Sequence, residues 1–146
     1  MPQIESLHGP WEWAESVGYA QAVRVGETIT TGGIGPYDEH GNVIDGTFED
    51  QVRQTFRNVE AVLRAFGADL TNVVSVNVYV TESDNYGRFT VVRPEFLTAP
   101  YPASTAVGVT LLAEGMQVEM NAVALLGATR VPAPPIDSTP PPSAGN

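Results

Sequence analysis

The sequence predicts an α+β fold in which two helices pack on one face of a mixed sheet, forming a two-layer sandwich. Three observations lead to this prediction. An amphipathic helix pattern occupies the middle of the chain, a segment of alternating valines follows it, and further segments typical of strands lie towards both ends. The predicted order of elements is β-β-α-β-α-β-β.

The first two strands are predicted at residues 17–25 and 28–35, with a tight turn at Gly26-Glu27 between them. The second strand ends in a glycine cluster made of Gly32, Gly33 and Gly35. Glycine inside a strand often marks a close approach by a ligand or by another backbone. A phosphate-binding loop is rejected, because no helix follows this cluster directly.

Two segments, residues 1–16 and 36–46, show no clear periodicity. The first contains Trp11 and Trp13, which we interpret as packing residues, with a ligand-binding aromatic pair as the alternative. His8 and His40 lie in these irregular segments, so neither is predicted to act as a catalytic base.

Residues 47–66 carry the clearest pattern, because apolar side chains recur there every three or four positions. Thr47 is the predicted N-cap, with Asp50 three residues later, and Gly67 is the predicted stop. The apolar stripe consists of Phe48, Val52, Phe56, Val59, Leu63 and Phe66.

A strand inside the sheet is predicted at residues 73–81, where Val74, Val76, Val78 and Val80 alternate with polar residues. A second helix is predicted at residues 83–97. Pro94 should kink or break this helix, because proline removes a backbone hydrogen bond and clashes with the preceding turn. Its buried stripe is Tyr86, Phe89, Val92, Phe96 and Leu97.

Residues 101–126 are predicted to form a β-hairpin with its turn at Ala113–Met116. Antiparallel pairing would place one face on the core, with members Thr105, Val107, Val109, Leu111, Val118, Met120, Ala122 and Ala124. The other face would carry small residues, Ser104 among them, beside Glu119 and Asn121. Small residues beside a carboxylate suggest a cavity or a subunit interface, and the alternative is a solvated sheet face.

Composition restricts the classes of partner. The formal net charge is −10, and all seven basic residues are arginines. Such a chain is a poor partner for nucleic acid or for an anionic membrane, because both attract basic patches. The absence of cysteine excludes disulfides, thiolate metal sites and a cysteine nucleophile. No apolar run approaches the ~18 residues of a spanning helix, so a cytoplasmic protein is the default expectation.

The composition changes after Leu126, because residues 127–146 contain six of the twelve prolines. We therefore predict a single domain at residues 1–126 and a disordered or extended tail at residues 127–146. The tail is interpreted as passive, with a proline-rich recognition motif as the alternative.

Four segments together resemble the YjgF/RidA family, also called endoribonuclease L-PSP. Gly18 to Val23 is similar to the family's Gly-Pro-Tyr-Ser-Gln-Ala-Val, and Thr30 to Gly35 is similar to Ser-Gly-Gln-Ile-Pro. Residues 51–67 resemble the family's Gln-Thr-Arg helix. Residues 102–105 together with 118–124 resemble Pro-Ala-Arg-Ser and Val-Glu-Ile-Glu-Ala-Ile-Ala. The resemblance covers roughly residues 16–126.

This resemblance implies a chorismate-mutase-like fold, a homotrimer with sites in clefts between subunits, and hydrolysis of imines or enamines without metal or organic cofactor. It assigns catalysis to Glu119, which would position or activate water, and to Tyr19. Substrate binding would fall to Thr31 (at the family's serine), Gly32, Thr90 (at its asparagine), Ser104 (at its arginine) and Thr105. Serine lacks the two-pronged cationic grip of arginine on a carboxylate, so an altered substrate is expected.

Three hypotheses of function remain after this comparison of residues. The leading one is an imine or enamine hydrolase of altered specificity, and the second is a non-catalytic ligand-binding or accessory trimer. RNA cleavage, suggested by the family's older label, is disfavoured by the acidic charge and by the absence of a histidine pair in the matched motifs.

Overall fold

The computed structural model describes residues 2–143 of the chain. Their strands form one six-stranded mixed sheet in the order β1-β2-β3-β6-β4-β5. In chain order the elements are β1 (Glu5–Leu7), α1 (Trp13–Val17), β2 (Ala22–Val25), β3 (Thr28–Thr31), α2 (Phe48–Arg64), β4 (Val73–Val80), α3 (Tyr86–Val92), β5 (Ala103–Gly108) and β6 (Val118–Leu125).

The α+β prediction is confirmed, with α2 and α3 as the two main helices packed against the sheet. We call the sheet face beneath these helices the covered face and the opposite one the open face. Two elements, β1 and α1, precede the predicted ones. Both are too short to give a periodic signal, and α1 occupies the start of the predicted strand at residues 17–25. It ends at Gly18, whose φ of 93° is costly for other residues.

Helix α2 begins and ends as its sequence predicts. The Thr47 hydroxyl accepts from the Asp50 amide at 3.1 Å, and the Asp50 carboxylate accepts from the Thr47 amide at 3.0 Å. The chain leaves the helix through Gly67, whose φ is 83°. The predicted stripe faces the core, and its fully buried members include Val52, Phe56, Val59 and Leu63.

Strand β4 lies inside the sheet, as predicted, between β6 and the edge strand β5, but the alternation of its side chains is shifted at its beginning. An irregularity between Val73 and Ser75 buries Val73 and leaves Val74 49% exposed. From Val76 onwards the valines lie on the covered face as expected. The predicted break in the second helix is also confirmed, since α3 ends at Val92 and Pro94 lies in a 3-10 turn at Arg93–Glu95.

The predicted hairpin at residues 101–126 is wrong, because β5 and β6 do not pair. Strand β4 lies between them, antiparallel to β6 and parallel to β5. The segment β4-α3-β5 is a parallel unit joined through a helix, which places β5 at the edge of the sheet. Neighbouring strands along a chain pair often but not always, and here tertiary packing overrides sequence adjacency.

The wrong partner also reversed the predicted faces of β5. Its true register sets Ser104 beside Val76 and Ala106 beside Val78, so both lie on the covered face. Thr105 and Val107 lie on the open face instead. A shift of one residue exchanges every side chain between faces. The faces of β6 follow the prediction, with Val118, Met120, Ala122 and Ala124 buried and Glu119 and Asn121 on the open face.

The chain beyond Leu126 is held to the domain by hydrogen bonds of two side chains, Arg130 and Asn72. The Arg130 guanidinium donates to backbone carbonyls at the start of β4 and in the segment before β5, namely those of Leu70, Thr71, Val73, Thr98 and Pro100. Asn72 donates to the carbonyl of Ala128 at 2.8 Å. Residues 127–143 form no helix or strand, and the boundary at residue 126 stays a prediction.

Candidate active site

An open groove of about 540 Å³ lies on the open face of the sheet. Its floor is formed by Tyr79 of β4 and by Glu119 and Asn121 of β6. Its walls are the end of β3, from Thr31 to Gly33, and the segment of residues 109–112 that follows β5. The groove therefore joins three segments that are distant in the sequence.

The glycine cluster after β3 makes room for the Glu119 side chain. A Cβ atom at Gly33 would collide with the Glu119 carboxylate oxygen Oε1, so any larger residue would displace that carboxylate. Gly35 makes room for two other side chains, since a Cβ there would collide with Met116 and with the Tyr37 ring. The close approach expected from these glycines is thus an approach by side chains of the same chain.

Glu119 is the ionisable group on the groove floor. It is half-buried, and this burial raises the pKa of its carboxyl above the ordinary value. Within residues 2–143 the carboxylate has no hydrogen-bond donor and no cation in contact. It can therefore exist in both protonation states closer to neutral pH than a solvated glutamate, as a general acid and base requires.

Two tyrosines share the surroundings of Glu119. Burial raises the pKa of Tyr19, and the negative charge of Glu119 raises it further. Burial and the same charge raise the pKa of Tyr37 to about 12. Both phenols consequently stay protonated at neutral pH and can donate hydrogen bonds. Tyr37 packs edge-on against Trp11 and Trp13, so both tryptophans make the packing contacts predicted for them.

Gln21 lies beneath Tyr19. Its side chain is fully buried, and neither amide atom has an aligned hydrogen-bond partner among residues 2–143. The amide is nevertheless near enough to the Tyr19 hydroxyl to lower the pKa of that phenol, partly offsetting the effect of burial. We interpret the pair as close but imperfectly aligned for a hydrogen bond.

The groove is supported by buried amides of α2. The side chain of Gln51 donates to the Gly115 carbonyl and accepts from the Gln117 amide, each at 2.8 Å, which anchors the turn before β6. The Asn58 amide donates to the carbonyls of Gly35 and Tyr37, each at 2.9 Å. The helix thus fixes both the segment that carries Tyr37 and the start of the strand that carries Glu119.

The predicted site residues divide into two groups. Thr31, Gly32 and Glu119 line the groove, and Tyr19 lies near enough to feel the charge of Glu119. The Thr31 hydroxyl is already engaged, since it donates to the Gly32 carbonyl at 2.8 Å and accepts from the Ala122 amide at 2.9 Å. On the groove floor Tyr79 donates to the Asn121 side chain at 2.8 Å.

The second group lies elsewhere. Ser104 is on the covered face of β5, and Thr90 is on the exposed side of α3, with its hydroxyl bonded to the Gly87 carbonyl. Thr105 is on the open face but does not line the groove. A cavity of about 340 Å³ lies between β5 and α3, bordered by Tyr86, Ala106 and Gly108. Glu119 and Ser104 of one chain therefore lie on opposite faces of the sheet.

Sequence reasoning missed Tyr37, Tyr79 and Gln21. The valine alternation of β4 did place Tyr79 on the face away from the core, so parity with Glu119 could have found it. Gln21 lies inside the Gly18 to Val23 motif. No sequence signal indicates Tyr37, because its position depends on how the loop after β3 folds back.

Residues 2–143 contain no cluster of three or more histidine, aspartate or glutamate side chains arranged to hold a metal ion. They also contain no helix that combines the length and the apolar character needed to span a bilayer.

Comparison with known proteins identifies the family. The sequence model described as Endoribonuclease L-PSP matches residues 12–126. The chain belongs to the YjgF/RidA family. The family match begins just before α1 and ends at the close of β6, so it includes every wall of the groove.

Several relatives of this RidA-family chain are named as deaminases. A 2-iminobutanoate/2-iminopropanoate deaminase from Dermatophagoides farinae is 33% identical over 109 residues, covering 74% of this chain and 85% of the relative. The human protein of the same name is 31% identical over 110 residues, covering 75% and 80%. Two fission yeast relatives are named as mitochondrial, and a cytoplasmic location for this chain stays a prediction.

Solved structures agree with this family membership. The crystal structure of RidA from the Antarctic bacterium Psychrobacter sp. PAMC 21119 is 34% identical with a TM-score of 0.71, covering 75% of this chain and 89% of the other. A YjgF/YER057c/UK114 family member from Mycobacterium tuberculosis is 26% identical with a TM-score of 0.75, covering 85% and 100%.

Proposed function

We propose that this protein hydrolyses an imine or enamine to a carbonyl compound and ammonia, with Glu119 as the general acid and base. The observation that carries the proposal is a half-buried carboxylate of raised pKa on the floor of an open groove, beside a protonated tyrosine. The deaminase names of the relatives support the same reaction class.

The chemistry needs one water and two rounds of proton transfer through Glu119. Ionised Glu119 takes a proton from water as the oxygen attacks the imine carbon, the electron pair of the C=N bond moves to nitrogen, and the carboxyl returns the proton to that nitrogen, which gives a carbinolamine. Glu119 then takes the proton of the carbinolamine hydroxyl and passes it to the nitrogen, so that a C=O bond forms as the C–N bond breaks and ammonia leaves. Tyr19, whose phenol stays protonated, is placed to donate a hydrogen bond to the substrate or the water.

We propose that the specificity of this reaction depends on Ser104, the residue at the family's arginine position. A hydroxyl there cannot make the paired charge-assisted bonds that arginine makes with a carboxylate. We therefore propose that this enzyme disfavours the smallest imino acids and accepts a larger or less acidic imine.

A homotrimer with sites between subunits completes the proposal. Glu119 and Ser104 of one chain are separated by the sheet, so a site that uses both must combine two copies. Apolar side chains on the open face also lack cover within residues 2–143, since Val107 is 41% and Leu125 39% exposed. Leu112, on the groove wall, is fully exposed. A second copy would bury these groups.

A second candidate is a non-catalytic ligand-binding trimer. It is favoured by Thr31, whose hydroxyl is committed to backbone partners, together with the serine at position 104. RNA cleavage is not proposed, because a chain with net charge −10 lacks the basic surface that such a substrate requires.

Ammonia release from enzymatically generated imines tests the proposal. Wild type, Glu119→Gln, Ser104→Arg and the exposed-site control Glu114→Gln should be compared with imines that carry or lack a carboxylate. We expect wild type and Glu114→Gln to be active, and we expect the rate of ammonia release to be about 10²–10⁴-fold lower in Glu119→Gln. Ser104→Arg should gain activity on small imino acids. Turnover unaffected by Glu119→Gln would refute the assignment, and silence in every variant would favour the binding protein.

A further inference from the structure

Arg93 lies next to Tyr86, a residue that borders the β5 cavity, but does not itself line that cavity. Tyr86, Thr90 and Arg93 are four and three residues apart, which places them along one flank of the helix and its 3-10 extension. Tyr86 borders the cavity together with Ala106 and Gly108. Thr90, on the same flank, is the residue at the family's asparagine position.

The Arg93 guanidinium is held by aromatic groups. Its Nη2 atom donates to the Tyr86 hydroxyl oxygen at 2.7 Å, and its carbon Cζ lies 4.9 Å from the Phe89 ring centroid and 5.7 Å from that of Tyr86. The Nε atom is buried and has no hydrogen-bond partner within residues 2–143. The Tyr86 hydroxyl accepts from the arginine, so its own proton is available for another acceptor.

In the described part of the chain, four of the seven arginines of this acidic protein form ion pairs with glutamates, and Arg93, like Arg57 and Arg130, does not. The paired ones are Arg24, Arg53, Arg64 and Arg88. No carboxylate within residues 2–143 lies within ion-pair distance of Arg93. A guanidinium fixed on aromatic faces, without a counter-ion, is ready to bind an anion with little further loss of side-chain freedom.

Topology brings Arg93 to the level of Ser104. Because β4 and β5 are parallel and α3 connects them, the helix runs antiparallel to β5. The end of the helix that carries Arg93 therefore lies beside the beginning of β5, where Ser104 projects from the covered face. Helical side chains lean towards the N-terminus, which directs the guanidinium back to Tyr86, the residue that borders the cavity.

We propose that Arg93, assisted by the Tyr86 hydroxyl, binds the anionic group of the substrate in place of the arginine that is absent at position 104. This inference rests on the proposed function and specifies its substrate class. The cavity wall is largely apolar, with Val80, Ala106 and the Tyr86 ring beside the single hydroxyl of Ser83, so the ligand is a carboxylate attached to an aryl or branched alkyl body. The Glu119 groove that acts on it belongs to the adjoining copy.

Equilibrium binding of unreactive probes tests the anion site without requiring turnover. Benzoate and its uncharged analogue benzamide should be titrated into wild type, Arg93→Met and Arg57→Met, with binding measured by NMR shifts and calorimetry. Arg93→Met keeps the apolar stem but removes the charge, and exposed Arg57 is the matched control. We expect a preference for benzoate of about tenfold or more in wild type and Arg57→Met, and none in Arg93→Met.

Two further variants separate binding from stabilisation of α3. Arg93→Lys should retain part of the benzoate preference, and Tyr86→Phe should weaken it while keeping the ring. A purely structural arginine would lower the melting temperature without changing the ratio of benzoate to benzamide affinity, and that result would overturn the proposal. Equal affinity of wild type for both probes would do the same.

Turnover distinguishes this inference from the proposed reaction. With carboxylate-bearing imines, Arg93→Met should raise KM and leave kcat largely unchanged, because the anion contact lies away from the reacting carbon. Loss of the benzoate preference in Arg93→Met would support the anion site even if wild type released no ammonia. Active wild type with no probe preference would refute the anion site alone.

Discussion

The two faces of the sheet differ in how complete they are. On the covered face, α2 and α3 bury a continuous apolar core that includes Phe56, Phe89, Val78 and Met120. On the open face, Glu119 and Asn121 line a groove while Val107 and Leu125 remain partly exposed. The core beneath the helices on the first face is complete within this chain, apart from the edge at β5, and the second face has apolar surface without cover.

This difference separates stability from function. Substitutions on the covered face should change the free energy of unfolding, because they alter packing that is complete within one chain. Substitutions on the open face should change assembly or catalysis while the folded chain persists. Four predictions test this separation, in order of decreasing effect.

The largest effect is expected from Phe56→Ala. The Phe56 ring is fully buried and stacks on Phe96 and Phe89 at centroid distances of 4.7 and 5.7 Å. We expect a loss of about 3–5 kcal/mol in the free energy of unfolding, measured by urea denaturation. Val25→Ala, on the open face, should cost much less. Equal losses would remove the distinction between the faces.

Val107→Asp should weaken assembly. Val107 is on the open face of the edge strand, and a charge buried there between copies would lack a partner. Sedimentation should show association at least about tenfold weaker, equivalent to ~1.4 kcal/mol, with the circular dichroism spectrum of the fold retained. Val91→Asp, on the outer surface of α3, should leave association unchanged. An unaffected oligomer in both variants would contradict the proposed interface.

Glu119→Gln should raise stability at neutral pH. Burial raises the pKa of this carboxyl in the folded state above its value in the unfolded state. The contribution of the carboxyl to the free energy of unfolding is therefore fully present below the unfolded pKa of about 4.5, and it declines as pH rises through the folded pKa. Wild type should lose stability over that range, and Glu119→Gln should not. Urea denaturation between pH 4 and 8 measures the difference, with Glu114→Gln as the exposed control. A pH profile unchanged by the substitution would contradict it.

Glu49→Gln should have the smallest effect and the opposite dependence on pH. Hydrogen bonds from Arg88 lower the pKa of Glu49 from 4.5 to about 2, so this stabilisation is present above pH 4.5 and is lost as pH falls towards 2. Both side chains are partly solvated, which limits the contribution to below about 1 kcal/mol. Urea denaturation between pH 2 and 6 should show that the free energy of unfolding falls less steeply with decreasing pH in the variant than in wild type. An identical pH dependence in the two proteins would refute this prediction.

Ser104 shows how far sequence reasoning reached at the site. The sequence predicted that Ser104 and its neighbours alternate between the two faces of a strand, and the motif indicated that Ser104 stands at the family's arginine position. Its face was predicted wrongly, because β5 was assigned to β6 as partner when β4 is its neighbour. Glu119 was placed correctly, since the buried residues on either side of it in β6 fix its face whatever the partner strand is.

The sequence alone determined the elements whose signals are local. The stripe and capping box of α2, the break at Pro94 and the alternation of β6 depend on residues a few positions apart. Tertiary structure decided which strands pair and where Tyr37, Gln21 and Arg93 lie relative to the site. Those relations join segments far apart in the chain, and their free energy comes from packing that no single segment contains. For that reason, a local pattern could predict the pieces of this site but not their arrangement.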